Sequence, residues 1–289
     1  MLPLGFSLVL TSLLGAATAT RPYVESVSVD LVQVPVVVRD QSGRPVRGLA
    51  ATDFVIREDG KAQPIVSFTS DPAPASIVVA LDNSRSMEGR LWSAQKAITE
   101  FLREQPHSTA LSLLTFNDDV FLDREFTQDA GDVARAVGAV RVEGTRTALY
   151  DALRIGSMHL SKRIGTRVLL LFTDGQDTVY EGEEGRLTTS IESAQAADVM
   201  VFAVACGAAA VATPASLSRM TQETGGELLT AKEGSHMRSA FSRITESLGA
   251  RYLLTYEPPD PKKPGYRSIQ VGVIRSGATA TARRGYVVR

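Results

Sequence analysis

One cysteine, three histidines and a single tryptophan in 289 residues narrow the chemistry before any motif is considered. Cys206 can form no internal disulfide, and its position rules out a lipid-anchored N-terminal cysteine. Ending the apolar run Val199 to Cys206, it reads as a small buried side chain rather than a reactive thiol. His107, His159 and His236 stand at no paired spacing, which argues against a histidine metal centre or a histidine general base. Lys and Arg never cluster into a run and the formal net charge is −1, so neither nucleic acid nor an anionic membrane is an expected partner. There is no Gly-x-Ser-x-Gly elbow and no glycine-rich phosphate loop, which removes the commonest hydrolase and nucleotide signatures. Trp92, near the start of an expected helix, reads as a packing anchor.

Long hydrophobic runs are also scarce. Leu2 to Ala17 is Leu-rich and nearly uncharged but too short to span a bilayer comfortably. It ends at Ala17-Thr18-Ala19, small residues of the kind a signal peptidase needs, although no Lys or Arg precedes Arg21. Residues 1–19 are therefore expected to be a signal peptide, and the mature chain an exported protein, periplasmic or extracellular, with no membrane span.

The remaining sequence changes character twice. From Val27 to Phe68 the apolar period is two, through Val27, Val29 and Leu31 and then Val34, Val36 and Val38. Turn signals fall at Asp40 to Gly43 and at Asp59-Gly60, the latter predicting a hairpin between Phe54 to Arg57 and Ile65 to Phe68. Between about residues 76 and 250, the apolar runs Ile77 to Leu81, Leu111 to Phe116, Val168 to Phe172 and Val199 to Ala205 alternate with segments of helical period. Leu91, Ala94, Ile98, Phe101 and Leu102 form one helical stripe, and Met237, Ala240, Phe241, Ile244 and Leu248 another. A third helix is expected to open at Thr189 and Glu192, which have capping-box spacing. Asp118-Asp119 reads as a turn into a reversed edge strand. After Arg251 the period returns to two, with a break at Pro258 to Pro261.

The implied fold class is α/β, a doubly wound, mostly parallel sheet with a small β-sandwich built jointly by the two ends of the chain, since neither end alone has enough apolar surface for a core. The expected divisions are a signal peptide at 1–19, an N-terminal β segment at 20–72, the α/β domain at 73–250 and a C-terminal β segment at 251–289.

In an open parallel sheet, groups just past the carboxyl ends of strands face the crevice where ligands bind. Three segments of this kind carry oxygen donors: Asp82-Asn83-Ser84-Arg85-Ser86, the loop from Gly144 to Asp151 containing Thr147, and Thr173-Asp174-Gly175. Asp82, Ser84, Ser86, Thr147 and Asp174 are all hard oxygen ligands, which favours Mg²⁺, Mn²⁺ or Ca²⁺ over Zn²⁺ or copper. Helix capping is the alternative reading of the first segment taken alone. Asp151 reads as a first-turn helix acid, and Asp177, Glu181, Glu183 and Glu184 as a solvated acidic loop.

Together these residues resemble the metal-ion-dependent adhesion site of von Willebrand factor A domains. Val36 to Leu49, Asp53 to Gly60 and the ending Arg283 to Arg289 are similar to the related bacterial proteins of acidobacterial type, so the resemblance covers nearly the whole mature chain. It implies direct coordination by Ser84 and Ser86, direct or water-mediated coordination by Thr147, and action largely through water by Asp82 and Asp174. Two departures stand out: Asn83 occupies a position where an apolar residue or Thr is commoner, and Arg85, where Gly is common, puts a cation near the metal. The expected function is an exported, divalent-cation-dependent protein-binding module, not an enzyme, whose protein partner supplies an acidic side chain to the ion. Alternatives are an assembly subunit with a permanently held ion and, more remotely, a metal-assisted hydrolase.

Overall fold

A computed structural model describes residues 31–70, 74–211, 213–231 and 235–288. The signal-peptide reading and the strand expected from Val27 lie outside the described residues.

The central sheet has six strands in the order β10-β9-β8-β5-β6-β7. Its parallel members are β5 (Ala75–Asp82), β6 (Ala110–Phe116), β8 (Thr166–Thr173), β9 (Val199–Cys206) and β10 (Leu228–Ala231), while β7 (Val120–Thr127) runs antiparallel at one edge. Every residue of β6 and β9 is buried, as expected of strands covered on both faces. Helices α1 (Leu91–Glu104), α2 (Ala130–Ala139) and α7 (Ser235–Gly249) share one apolar cluster with the sheet. Helices α3 (Leu149–Ser161), α4 (Glu184–Ala196) and α6 (Ala215–Thr224), with the short α5 (Gly207–Val211), share the other. The apolar stripe of α1 faces inward as its spacing predicts. Trp92 does not: it lies about 100° from Leu91 around the helix, so it is 71% exposed with Lys96 against its ring. Trp92 is therefore not a packing anchor.

Strands from both ends of the chain build the second unit. One antiparallel sheet has the order β13-β1-β11-β4, from β13 (Thr279–Ala282), β1 (Val32–Arg39), β11 (Arg251–Tyr256) and β4 (Ile65–Thr69). The other is β14-β12-β2-β3, from β14 (Gly285–Val288), β12 (Gly265–Val273), β2 (Phe54–Glu58) and β3 (Lys61–Gln63). Val34, Val36, Ile56, Leu254, Tyr256 and Ile269 fill the space between them. The turn at Asp59-Gly60 therefore joins β2 to β3, and Ile65 to Phe68 is not its hairpin partner. Pro64 has no N–H for the ladder, and beyond it the chain crosses to the other sheet, pairing with β11. The helix expected to open at Thr189 instead begins at Glu184, and the Thr189 hydroxyl donates to Gly185 O inside the helix.

Candidate metal centre

β5 is flanked by β6 on one side and β8 on the other, so the chain's winding direction reverses at β5, and the crevice beyond its carboxyl end is where such sheets place ligands. Asp82 is the last residue of β5, and Thr173 the last of β8. From Ser84 the chain enters a short 3-10 turn, Arg85–Met87, before α1. Met87 is fully buried, its N–H bonded to Ser84 O at 2.9 Å, and this pins the turn to the core.

The sequence-predicted donors meet here. Ser86 Oγ donates to Asp174 Oδ1 at 2.7 Å and lies 3.0 Å from Ser84 Oγ. Thr147 Oγ1 donates to Ser84 Oγ at 3.2 Å. Asp82 accepts the Ser84 N–H at 2.9 Å and the Thr173 hydroxyl at 2.6 Å. Thr147 is held from outside its own loop by a double tie, its N–H donating to Thr178 Oγ1 at 2.8 Å and its carbonyl accepting the Thr178 N–H at 3.0 Å. Asp82, Ser84, Thr147 and Asp174 are buried, and burial pushes the Asp82 carboxyl up to about 6 against the hydrogen bonds from Ser84 and Thr173 and with a smaller push from Asp174.

Several neighbours differ from what the sequence suggests. Arg85 is exposed and makes no ion pair with either carboxylate. The cation at the site is Arg90, whose Nη1 lies 3.4 Å from Asp174 Oδ2 and 3.2 Å from Ser86 O. Asn83 is a brace: its side chain donates to Arg141 O at 2.9 Å and accepts from Asn117 Nδ2 at 3.2 Å. Asp177 is not part of a solvated loop. It is 2% exposed and accepts the N–H groups of Tyr150 and Tyr180, at 2.8 and 2.6 Å. Ala148 precedes α3 without a capping side chain, so Asp177 supplies the acceptor from another loop. Asp151 lies in the first turn of α3, paired with Arg154.

Two carboxylates and three hydroxyls suit a hard divalent cation. Asp82 and Asp174 are both buried, Arg90 is the cation paired with Asp174, and every donor is oxygen. Among the described residues no three of His, Cys, Asp and Glu gather at a metal-binding spacing, which is the wrong chemistry for zinc.

An open α/β sheet with a cluster of oxygen donors at its switch point defines a class of ligand-binding domain. Residues 76–243 match the von Willebrand factor type A domain, and the chain belongs to that family, whose domains generally serve protein interaction and adhesion. Solved structures share the fold. A von Willebrand factor type A protein from Catenulispora acidiphila, 12% identical, has a TM-score of 0.56 over 93% of this chain and 75% of its own. The conserved hypothetical protein BatB from Bacteroides thetaiotaomicron, 16% identical, has a TM-score of 0.50 over 60% of this chain and 98% of its own. The PilB minor pilin from Streptococcus sanguinis, 14% identical, has a TM-score of 0.50 over 66% and 64%. Curated protein sequences give no match. Among the described residues no helix is long and apolar enough to cross a membrane.

Proposed function

We propose that this protein is an exported interaction module that binds a protein partner through a divalent cation, Mg²⁺ by preference and Mn²⁺ or Ca²⁺ by the same chemistry, held by Asp82, Ser84, Ser86, Thr147 and Asp174. The observation that carries the reading is the cluster itself: three separate segments deliver five oxygen-bearing side chains to one point at the sheet's switch point, four of them buried and Ser86 at the exposed edge. A bound divalent ion supplies a positive, Lewis-acidic centre that a carboxylate from a partner can join. The protein's part is to hold the donors in place. Asp82 is fixed by two hydrogen bonds, Ser84 and Ser86 are presented by the turn that Met87 anchors, and Thr147 is stapled to Thr178.

Ser84→Ala with Ser86→Ala removes two donors from a loop while the strands beneath keep their packing. Calorimetric titration with Mg²⁺ and Mn²⁺ is expected to give binding for the parent and loss of at least about two orders of magnitude in affinity for the double variant, with unchanged circular dichroism. Equal affinity would dismiss the site assignment. Capture of a partner from the cell envelope in Mg²⁺ but not in EDTA is the matching test of the interaction role and of export.

A further inference from the structure

Arg90 caps α1 from within the site. Its Nη1 donates to Ser86 O, and its distance of 3.4 Å from Asp174 Oδ2 is longer than the roughly 2.7–2.9 Å of a full charge-assisted bond. The side chain is 37% exposed while that of Asp174 is 3% exposed, so the guanidinium forms the outer wall of the site. Its seat is shaped for it. Gly207, at the start of α5, has φ +54°, and a Cβ there would stand 2.6 Å from Arg90 Nε and 2.9 Å from Cζ. Glycine at this position satisfies the left-handed backbone and lets the guanidinium lie against the chain. α5 is itself tied to the site by the Ala209 N–H bonded to Asp174 O at 3.1 Å.

The charge balance gives this placement a consequence. Asp82 and Asp174, both ionised, cancel a divalent cation, and a neutral site exerts little pull on an approaching anion. With Arg90 the loaded site has one positive charge in excess, and the ion-free site one negative charge in excess. We propose that Arg90 selects the partner, making the ion-loaded site a receptor for a carboxylate while opposing entry of the ion. This rests on the metal-site reading above. Arg90 is the rim donor whose planar fork suits a carboxylate, and the same charge repels the cation, so its removal has effects of opposite sign on the two ligands. One unit charge about 4 Å away changes a binding constant by roughly a thousandfold at an effective dielectric of about 20 and by roughly fivefold at that of water, about 80. For a guanidinium that is 37% exposed, a change on the order of tenfold is the conservative expectation.

The test uses the full chain with Mn²⁺ alone and then acetate as the carboxylate probe. Mn²⁺ is titrated calorimetrically into the parent, Arg90→Gln, Arg90→Met and Arg90→Lys. Acetate is then titrated into each Mn²⁺-saturated protein while the water-proton relaxation rate reports loss of ion-bound water. The charge-removing variants are expected to bind Mn²⁺ on the order of tenfold tighter and acetate on the order of tenfold more weakly. Arg90→Lys should restore Mn²⁺ affinity to within a few fold of the parent and acetate affinity only in part, because it keeps the charge and loses the fork. A residue that only braced the Ser86 turn would weaken both ligands together when removed. Two different removals are included so that a folding defect in one leaves the other to decide. Mn²⁺ affinity unchanged or lowered in a folded Gln or Met variant, or acetate affinity unchanged, overturns the role of Arg90 while the metal site stands. A parent that takes up no Mn²⁺ overturns the metal-site reading and this proposal with it.

Discussion

Asp82 has no exposed surface, and its carboxylate sits close to a second acid. Without a cation, burial raises its folded-state pKa from 3.8 to about 6. Below about pH 4 both folded and unfolded chains hold the proton. Between about 4 and 6 the folded chain keeps a proton that the unfolded chain has released, so stability falls as pH rises through this window. In EDTA this one group is expected to cost the folded state on the order of 3 kcal/mol by pH 7. Urea unfolding of the parent and of Asp82→Asn across pH 4–7 checks it: the difference between the two should grow with pH in EDTA, whereas parallel curves would show that Asp82 does not titrate in this range. At this scale the sequence is readable where an element boundary fixes the place of a side chain, as the ends of β5 and β8 do for Asp82 and Asp174 and the entries to the 3-10 turn and α3 do for Ser84 and Thr147. It is unreadable where a long side chain folds back. Nothing in the spacing distinguishes Arg85, which points to water, from Arg90, which turns in toward Asp174. Asp177 is illegible for a related reason, since its burial depends on a cap that α3 lacks and that only the tertiary structure brings to it.

Secondary elements were legible in proportion to how much of their own surface decides their position. β5, β6, β8 and β9 are continuous apolar runs because both faces are covered, and α1 and α7 show their inward stripes in the sequence. β10 has four residues and α6 is mostly small and polar, so neither carries a periodic signal. What places β10 is a close approach. A Cβ on Gly226 would lie 1.9 Å from Val201 O and 2.5 Å from Val201 C, backbone atoms of a central strand that cannot yield. Gly226→Ala is therefore expected to destabilise the protein by at least about 3 kcal/mol. Gly138 gives the contrast, because it lies in α2 with nothing within 4 Å of a built Cβ. Gly138→Ala should stabilise by about 0.5–1 kcal/mol through helix propensity alone. Chemical denaturation of both variants measures the pair, and a loss at Gly138 as large as that at Gly226 would mean that close backbone approach is not what separates them.

At the scale of the molecule, the sandwich is built from chain segments on both sides of the α/β unit. β1 pairs with β11, and β11 follows α7 after only Ala250, so the end of the family domain runs directly into the sandwich. Polar ties cross the junction: Arg39 of β1 meets Glu227 and Ser247, Arg47 Nη1 donates to Gly249 O at 2.7 Å, and Arg284 N donates to Glu223 O at 3.4 Å. Arg283 is the most buried of these cations, with its side chain 8% exposed. It pairs with Asp198, whose own backbone takes the uncommon φ of +50°, donates to Gln33 O at 2.8 Å and lies over the Tyr286 ring. Gly225 packs so tightly against the same segment that a Cβ there would stand 2.5 Å from Arg283 N. Arg283→Ala leaves a half-exposed Asp198 that keeps Arg167 nearby, so the cost comes from the lost packing of the arginine stem and the lost bond to Gln33 O and should be about 1–3 kcal/mol. The loss is expected to fall on the coupling between the units. The parent should unfold in urea in one transition, whereas Arg283→Ala, measured in a Tyr150→Phe, Tyr180→Phe background so that the tyrosine signal comes from Tyr252, Tyr256, Tyr266 and Tyr286 of the sandwich, should lose near-ultraviolet tyrosine dichroism before far-ultraviolet helix signal from the α/β unit. Coincident transitions in the variant with an undiminished midpoint would show that the sandwich is held by its shared apolar core and not by this arginine.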